Sequence, residues 1–143
     1  MPSPQASRPY ASAVERLRAA GLRPTKQRMC LCRSLFDEGP RHVTAETLHA
    51  EAQGHGLKVS LATVYNTLHQ FTKAGLLREV VVDGAKTYFD TNVSSHHHFF
   101  DVDTGDLTDI PGDGIEICGL PGTPSGLEVQ SVDITVRVRK LVR

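Results

Sequence analysis

Apolar residues recur at helical spacing along the first half of the chain, in stretches set off by small polar residues and glycines. Ala13 to Ala20 predicts a short helix stopped by Gly21, and Thr25 caps a second in which Met29, Cys32 and Phe36, with Leu31 and Leu35, form the apolar side. Glu38-Gly39-Pro40 ends it. Thr44 caps a third helix, with Ala45, Leu48 and Ala52 on one face, and Ser60 caps the clearest one. There Leu61, Val64, Leu68 and Phe71 make one buried stripe that Gly75 closes, so Ala62, Thr63, Tyr65, Asn66, His69, Gln70 and Lys73 are expected to face outward.

Strand patterns follow. Leu76 to Val82 and Ala85 to Asp90 flank Asp83-Gly84, a strong hairpin signal. Helices followed by such a hairpin predict a winged helix. Further on, His96 to Val102 and Asp106 to Ile110 flank Asp103-Thr104-Gly105, and Val132, Ile134, Val136 and Val138 alternate with polar residues in an expected long final strand. Between them Pro111 to Gly126 holds five Gly and three Pro in sixteen residues, leaving room for no more than a short helical piece around Ile115 to Cys118. The fold class expected is α+β: a winged helix-turn-helix over residues 1–90, then a small α/β domain over 91–143. So short a second domain leaves an apolar strand face bare, which a second copy of the chain would cover; a homodimer is expected.

Charge sharpens this division. The 143 residues carry 16 Lys+Arg and 16 Asp+Glu, yet residues 1–88 hold 12 basic and 7 acidic residues, against 4 and 9 in the remainder. A basic first half predicts a polyanionic partner and an acidic second half predicts cation ligation or solvation. No apolar run approaches the ~18 residues of a membrane helix, and Met1 to Ser12 lacks a signal peptide's apolar stretch, so a cytoplasmic protein with no membrane partner is expected. Three cysteines, two of them (Cys30 and Cys32) on one helix, build neither a disulfide framework nor a four-cysteine zinc site; they read as small helix residues.

The outward face of the Ser60 helix has the chemistry of a DNA-reading helix. Thr63 and Tyr65 could pack on thymine methyls or touch phosphate, and Asn66 could pair bidentately with adenine. Lys26 and Arg28, at the start of the second helix, are placed for the DNA backbone or minor groove, as is Arg41. The bland alternative is the wet face of a surface helix. His96-His97-His98 opens a strand, where alternation puts His96 and His98 on one side and His97 on the other. With Asp90, Asp109 and His42 as candidate partners, imidazoles plus carboxylates suit iron(II), zinc or manganese. Phe99 and Phe100 add the apolar wall that a haem site uses. His97 has Glu116 and Asp133 as conceivable partners. His49, His55 and His69 read as solvated. A small metal-dependent hydrolase and a metal-buffering module with a borrowed winged helix are the rival readings.

Gly21-Leu22-Arg23-Pro24-Thr25-x-x-Arg28, His42-Val43-Thr44-Ala45-Glu46-x-Leu48, Leu61-Ala62-Thr63-Val64-Tyr65-Asn66-Thr67-Leu68 and the histidine strand, in this order, resemble the ferric uptake regulator family. The histidine run with Phe99-Phe100 and the Gly/Pro-rich stretch around Glu116 look most similar to its haem-responsive iron response regulator branch in alphaproteobacteria. The resemblance implies a homodimeric transcription factor that binds an A/T-rich double-stranded palindrome under control of a divalent metal, haem or both; a manganese, zinc or peroxide regulator of the same family is the alternative. It places an interdomain sensing site on His42, Asp90, His96, His98 and Asp109, with Asp90 and Asp109 standing where glutamates are usual. A second site would use His97 and Glu116, with Asp133 in place of a histidine. Tyr65 matches the family's DNA-contacting tyrosine, whereas Asn66 replaces an arginine, implying a different base preference. The Cys-x-x-Cys pairs that hold structural zinc in many relatives are missing, with Asp101 and Thr104 in their place, so the dimer is expected to rest on strand packing alone. No Cys-Pro haem motif exists, so any haem would depend on the histidine strand.

Overall fold

A computed structural model describes residues 10–83 and 86–142, divided into two compact units that meet at Val93/Ser94. The first unit carries α1 (Ala11–Ala19), α2 (Lys26–Phe36), β1 (His42–Val43), α3 (Ala45–Gly54), α4 (Leu61–Lys73), β2 (Arg78–Asp83) and β3 (Lys86–Asp90). Three helices begin in the same way: Thr25, Thr44 and Ser60 each accept the backbone N–H three residues on, at 3.3, 3.2 and 3.1 Å. Each such cap contributes about 1 kcal/mol by satisfying an orphan donor. Three helices also end in the same way. Gly21, Gly56 and Gly75 take a positive φ, and the leucine after each donates back five residues, Leu22 to Leu17, Leu57 to Ala52 and Leu76 to Phe71. Each Gly-Leu pair thereby stops a helix and turns an apolar side chain toward the core.

That core is made of Leu17, Leu31, Cys32, Leu35, Val43, Leu48, Val64, Leu68, Phe71 and Phe89, all essentially inaccessible. One member of the expected stripe departs: Leu61 is 40% exposed, because it sits in the first turn of α4, ahead of the layer that Val64 begins. β1, β3 and β2 form an antiparallel sheet in that order, with His42 opposite Asp90 and Val43 opposite Phe89. Helices α2 to α4 with the β2/β3 wing make the expected winged helix. β2 ends at Asp83, and Gly84 and Ala85 of the expected turn lie outside the described residues. Among those described, no helix is long and apolar enough to cross a membrane.

The second unit is a three-stranded sheet in which β4 (His97–Asp101) is central, antiparallel to β5 (Leu107–Ile110) and parallel to β6 (Thr135–Val138). The expected long final strand is therefore only four residues. It starts late because the Ile134 N–H, next in line for the ladder, donates instead to His97 Nδ1 at 3.1 Å. The helical piece expected around Ile115 to Cys118 is absent; a single 3-10 turn at Gly112–Gly114 precedes an irregular stretch in which the Gly and Pro content leaves no room for a helical ladder. The β4–β5 turn is closed by side chains. One Asp101 carboxylate oxygen accepts the Asp103 and Thr104 N–H groups, and Asp103 accepts the Lys140 N–H just beyond β6. Phe99, Val102, Leu120, Leu127, Val129, Leu141 and Val142 remain exposed, an apolar surface larger than a short monomeric unit ordinarily leaves in water.

Candidate metal-ligand sets and the nucleic-acid face

In the first unit, strand register builds a donor pair. Because β1 pairs with β3 at His42↔Asp90, His42 Nε2 lies 3.1 Å from one Asp90 oxygen, while the other accepts the Asn92 N–H at 2.9 Å. The Asp90 side chain is 1% exposed. A carboxylate so deeply buried needs hydrogen-bond partners for its oxygens, and this one has the His42 ring and the Asn92 N–H.

The second unit holds a tighter set. Alternation along β4 puts His96 and His98 on one face, their rings 4.5 Å apart between centroids, and the β4/β5 register sets Asp109 opposite His98. Both Nε2 atoms lie 3.3 Å from the same Asp109 oxygen, and both imidazoles are buried. His96 Nδ1 donates to the Ser94 carbonyl at 2.6 Å, so in the neutral ring Nε2 carries the lone pair. Facing the Asp109 oxygen, that nitrogen can either carry a second proton and donate to the carboxylate or keep its lone pair and share a cation with it. The fixed outer nitrogen is also what orients metal-binding histidines generally. Ligand atoms of this trio lie within 4.8 Å of one another, and the residue types fit a hard-to-borderline divalent ion. Gly112 helps to set the approach to His96: a Cβ there would stand 2.6 Å from the Ser95 carbonyl oxygen. Nothing in the pattern of apolar residues could have singled it out.

His97, on the opposite face, is occupied differently. Its Nδ1 accepts the Ile134 N–H, Asp133 accepts the Ser131 hydroxyl at 3.0 Å, and Glu116 is exposed; among the described residues these three do not gather into a ligand set. Phe100 is buried with the Arg137 guanidinium 5.7 Å above its ring, whereas Phe99 is exposed on the His97 side.

On α4, Ser60 and Thr63 are locked together. The Ser60 hydroxyl donates to Thr63 Oγ1 at 2.9 Å while accepting the Thr63 N–H. Asn66 and Lys26 are exposed. Tyr65 is half-buried, its ring edge-on to Phe89 at 6.1 Å and tilted against His69 at 4.8 Å, so the core fixes its direction. His69 is thus a packing partner as well as a surface residue. Arg28 bridges elements: its guanidinium donates to Gln70 Oε1 on α4 and to the Arg23 carbonyl, both at 3.0 Å. Arg41 turns onto Glu51 of α3 with both terminal nitrogens, at 2.8 and 3.1 Å, and donates to the Ser34 carbonyl, partners the sequence reading did not foresee. A pair ten residues apart and bridging a loop to a helix has no periodic signature. His49, expected to be solvated, is half-buried with Nε2 2.9 Å from the Val59 carbonyl.

Comparison with known proteins decides the family. The sequence profile of the ferric uptake regulator family matches residues 19–136. The chain belongs to the ferric uptake regulator family. Its members are metal-dependent, dimeric DNA-binding regulators of transcription, not enzymes. The ferric uptake regulation protein of Shigella flexneri is 35% identical over 101 residues, covering 70% of this chain and 68% of that protein. That of Pseudomonas aeruginosa is 38% identical over 101 residues, covering 70% and 75%. Among solved structures, the Pseudomonas aeruginosa ferric uptake regulator with manganese matches with a TM-score of 0.66 at 27% identity, over 90% of this chain and 97% of that one. The Vibrio cholerae regulator shares the fold at 20% identity, with a TM-score of 0.68 over 89% and 98%.

Proposed function

We propose that this chain is a cytoplasmic, homodimeric regulator of iron or haem homeostasis, in which residues 1–90 bind an A/T-rich palindromic operator and residues 91–143 dimerise and sense the ligand. The observation that carries the sensing half is the pair of buried imidazoles converging on one Asp109 oxygen, with His96 Nδ1 committed to a backbone carbonyl. His42 and Asp90 complete the set. Three donors leave a six-coordinate iron(II) or manganese(II) ion underfilled; two more from the first unit give five. A bound divalent ion would take the two Nε2 atoms and the Asp109 oxygen as ligands in place of the protons that otherwise join them.

The protein's own residues do the rest. His42 and Asp90 are anchored through β1 and β3 to the core beneath α4, so whatever fixes them also fixes the reading helix. A two-fold operator requires two reading helices at one spacing, and holding the first unit against the dimer half converts ligand occupancy into operator affinity. On the DNA, Thr63, Tyr65 and Asn66 face base edges, with Lys26 and Arg28 near phosphates. Assignment to the iron response regulator branch rests on the likeness of His96-His97-His98-Phe99-Phe100 and of the Gly/Pro-rich stretch around Glu116. Haem is the alternative ligand, and the exposed Phe99 beside His97 is the apolar surface it would meet.

A gel-shift titration with iron(II), manganese(II), zinc(II) and haem tests this reading, run on the wild-type chain and on His96→Ala/His98→Ala. Operator affinity of the wild-type protein changes with at least one ligand and that of the double variant does not. An equal response in both proteins refutes the proposed site.

A further inference from the structure

Arg41 stands next to a proposed ligand yet belongs to no ligand set. Its guanidinium spans two helices, donating to the Ser34 carbonyl on α2 and, with both terminal nitrogens, to the Glu51 carboxylate on α3. Its backbone is equally committed. The Arg41 N–H donates to Thr91 Oγ1 at 3.0 Å, and the Arg41 carbonyl accepts the Thr91 N–H at 3.2 Å and the Thr91 hydroxyl at 3.3 Å. Residues 41 and 91 therefore flank the 42/90 pair on its outer side, while Val43 and Phe89 flank it on the core side.

β1 is only two residues long, and a strand that short does not hold its own register. Its inner end is fixed by burial of Val43. Its outer end is fixed by Arg41, and an error of one residue there would turn His42 away from Asp90. We propose that Arg41 and Glu51 are positioning residues that hold His42 and Asp90 in ligand geometry and tie them to the α2–α3 packing of the reading unit. This deepens the metal-sensing reading and rests on it.

Exposed ion pairs contribute little to global stability, and this one, with side chains 24% and 34% exposed, borders a cleft of about 680 Å³ whose lining also includes Cys30, Arg33, Ser34 and His55. Shortening either partner opens that cleft to water instead of leaving a void in the core. What is lost is orientation. Removing a group that bonds a metal ligand directly ordinarily weakens metal binding by about 10- to 100-fold; Arg41 and Glu51 act one step further out, through the backbone of β1, so the lower end of that range is expected.

The test measures manganese(II) affinity of the full chain, by loss of the free-ion electron paramagnetic resonance signal, together with melting temperature in chelator. The proteins are wild type, Arg41→Gln, Glu51→Gln, the exchanged pair Arg41→Glu/Glu51→Arg, and His96→Ala. Each single clamp variant is expected to bind manganese about tenfold more weakly while melting within about 2 °C of wild type, with the exchanged pair recovering part of the loss. Wild-type affinity in both Arg41→Gln and Glu51→Gln, alongside lost binding in His96→Ala, overturns the clamp and leaves the metal site standing. A weakening that tracks a large fall in melting temperature and is not recovered by the exchange also overturns it, as plain structural damage. Undiminished binding in His96→Ala overturns the metal-site reading beneath it.

Discussion

Asp109→Asn separates ligation from packing. In the metal-free protein the asparagine amide can donate to an imidazole nitrogen at the place where the carboxylate oxygen now stands 3.3 Å from both rings, so the sheet keeps its geometry. Asp109 is a third exposed, and its charge is not a large stabilising factor there. With a divalent ion the outcome differs, because an anionic ligand has been replaced by a weak neutral one. Losing it should cost at least as much as losing an outer partner, about 100-fold in affinity. Linkage turns this into a stability difference: at an ion concentration 100 times the wild-type Kd the wild-type protein gains about 2.7 kcal/mol, while a variant binding 100-fold more weakly gains about 0.4. At roughly 3 to 4 °C per kcal/mol for a chain of this size, manganese should raise the wild-type melting temperature by about 9 °C and that of the variant by 1 to 2 °C. Calorimetry with and without manganese reads both. An equal rise in the two proteins would refute the assignment of Asp109 as a ligand; a metal-free variant melting many degrees below wild type would show the carboxylate to be a structural partner of the histidines instead.

Other perturbations probe the reading helix and the core. Ser60→Ala removes the acceptor for the Thr63 N–H and should lower stability by about 1 kcal/mol in urea titrations. Asn66→Ala should leave melting unchanged, since the side chain is exposed, yet flatten discrimination at one operator base pair by about 1 to 3 kcal/mol in competition gel shifts. Burial raises the Cys32 thiol from 9.0 to about 11, so iodoacetamide at pH 8 should label exposed Cys118 long before Cys32. The same shift sets a pH dependence: the unfolded chain ionises this thiol first, so stability contributed by the buried neutral form holds below pH 9 and falls by up to about 3 kcal/mol as pH rises to 11. Cys32→Ala should lack that slope.

The helices were legible because their signals are local. Thr25, Thr44 and Ser60 announce starts, glycines announce stops, and α4 carries its stripe in plain view. The facing of His96 and His98 was equally legible, since alternation in a strand leaves no choice. What escaped depends on partners distant in sequence. Arg41 looked like a surface cation until Glu51, ten residues on, and Thr91, fifty residues on, came to meet it. Arg28 shares its guanidinium with Gln70, forty-two residues away. β6 was read as long because its alternation runs on past the point where a histidine ring, not a backbone carbonyl, takes the next amide. Side-chain substitution for a ladder bond leaves no trace in hydropathy.

The β4–β5 turn shows the same principle from the other side. Its sequence has Asp101 and Thr104 where the family resemblance leads one to look for cysteines, and the expectation drawn from that concerns the dimer, not the closing of this turn. The turn is pinned within the chain: Asp101 gathers two backbone amides, its own carbonyl accepts the Gly105 N–H at 2.8 Å, and Asp103 accepts the Lys140 N–H beyond β6. In three of these bonds a backbone N–H donates to a carboxylate; all three are exposed to solvent, so each contributes about 1 kcal/mol. Together they join the ends of three strands. Asp101→Ala should therefore destabilise the second unit by about 1 to 2 kcal/mol whether or not metal is present, and a strong chelator should shift the melting of this variant no further than it shifts wild type. If chelation hits the variant harder, a metal ion and not Asp101 is closing the turn, and the separation drawn between a sensing set on one face of β4 and a metal-free scaffold at its end fails with it.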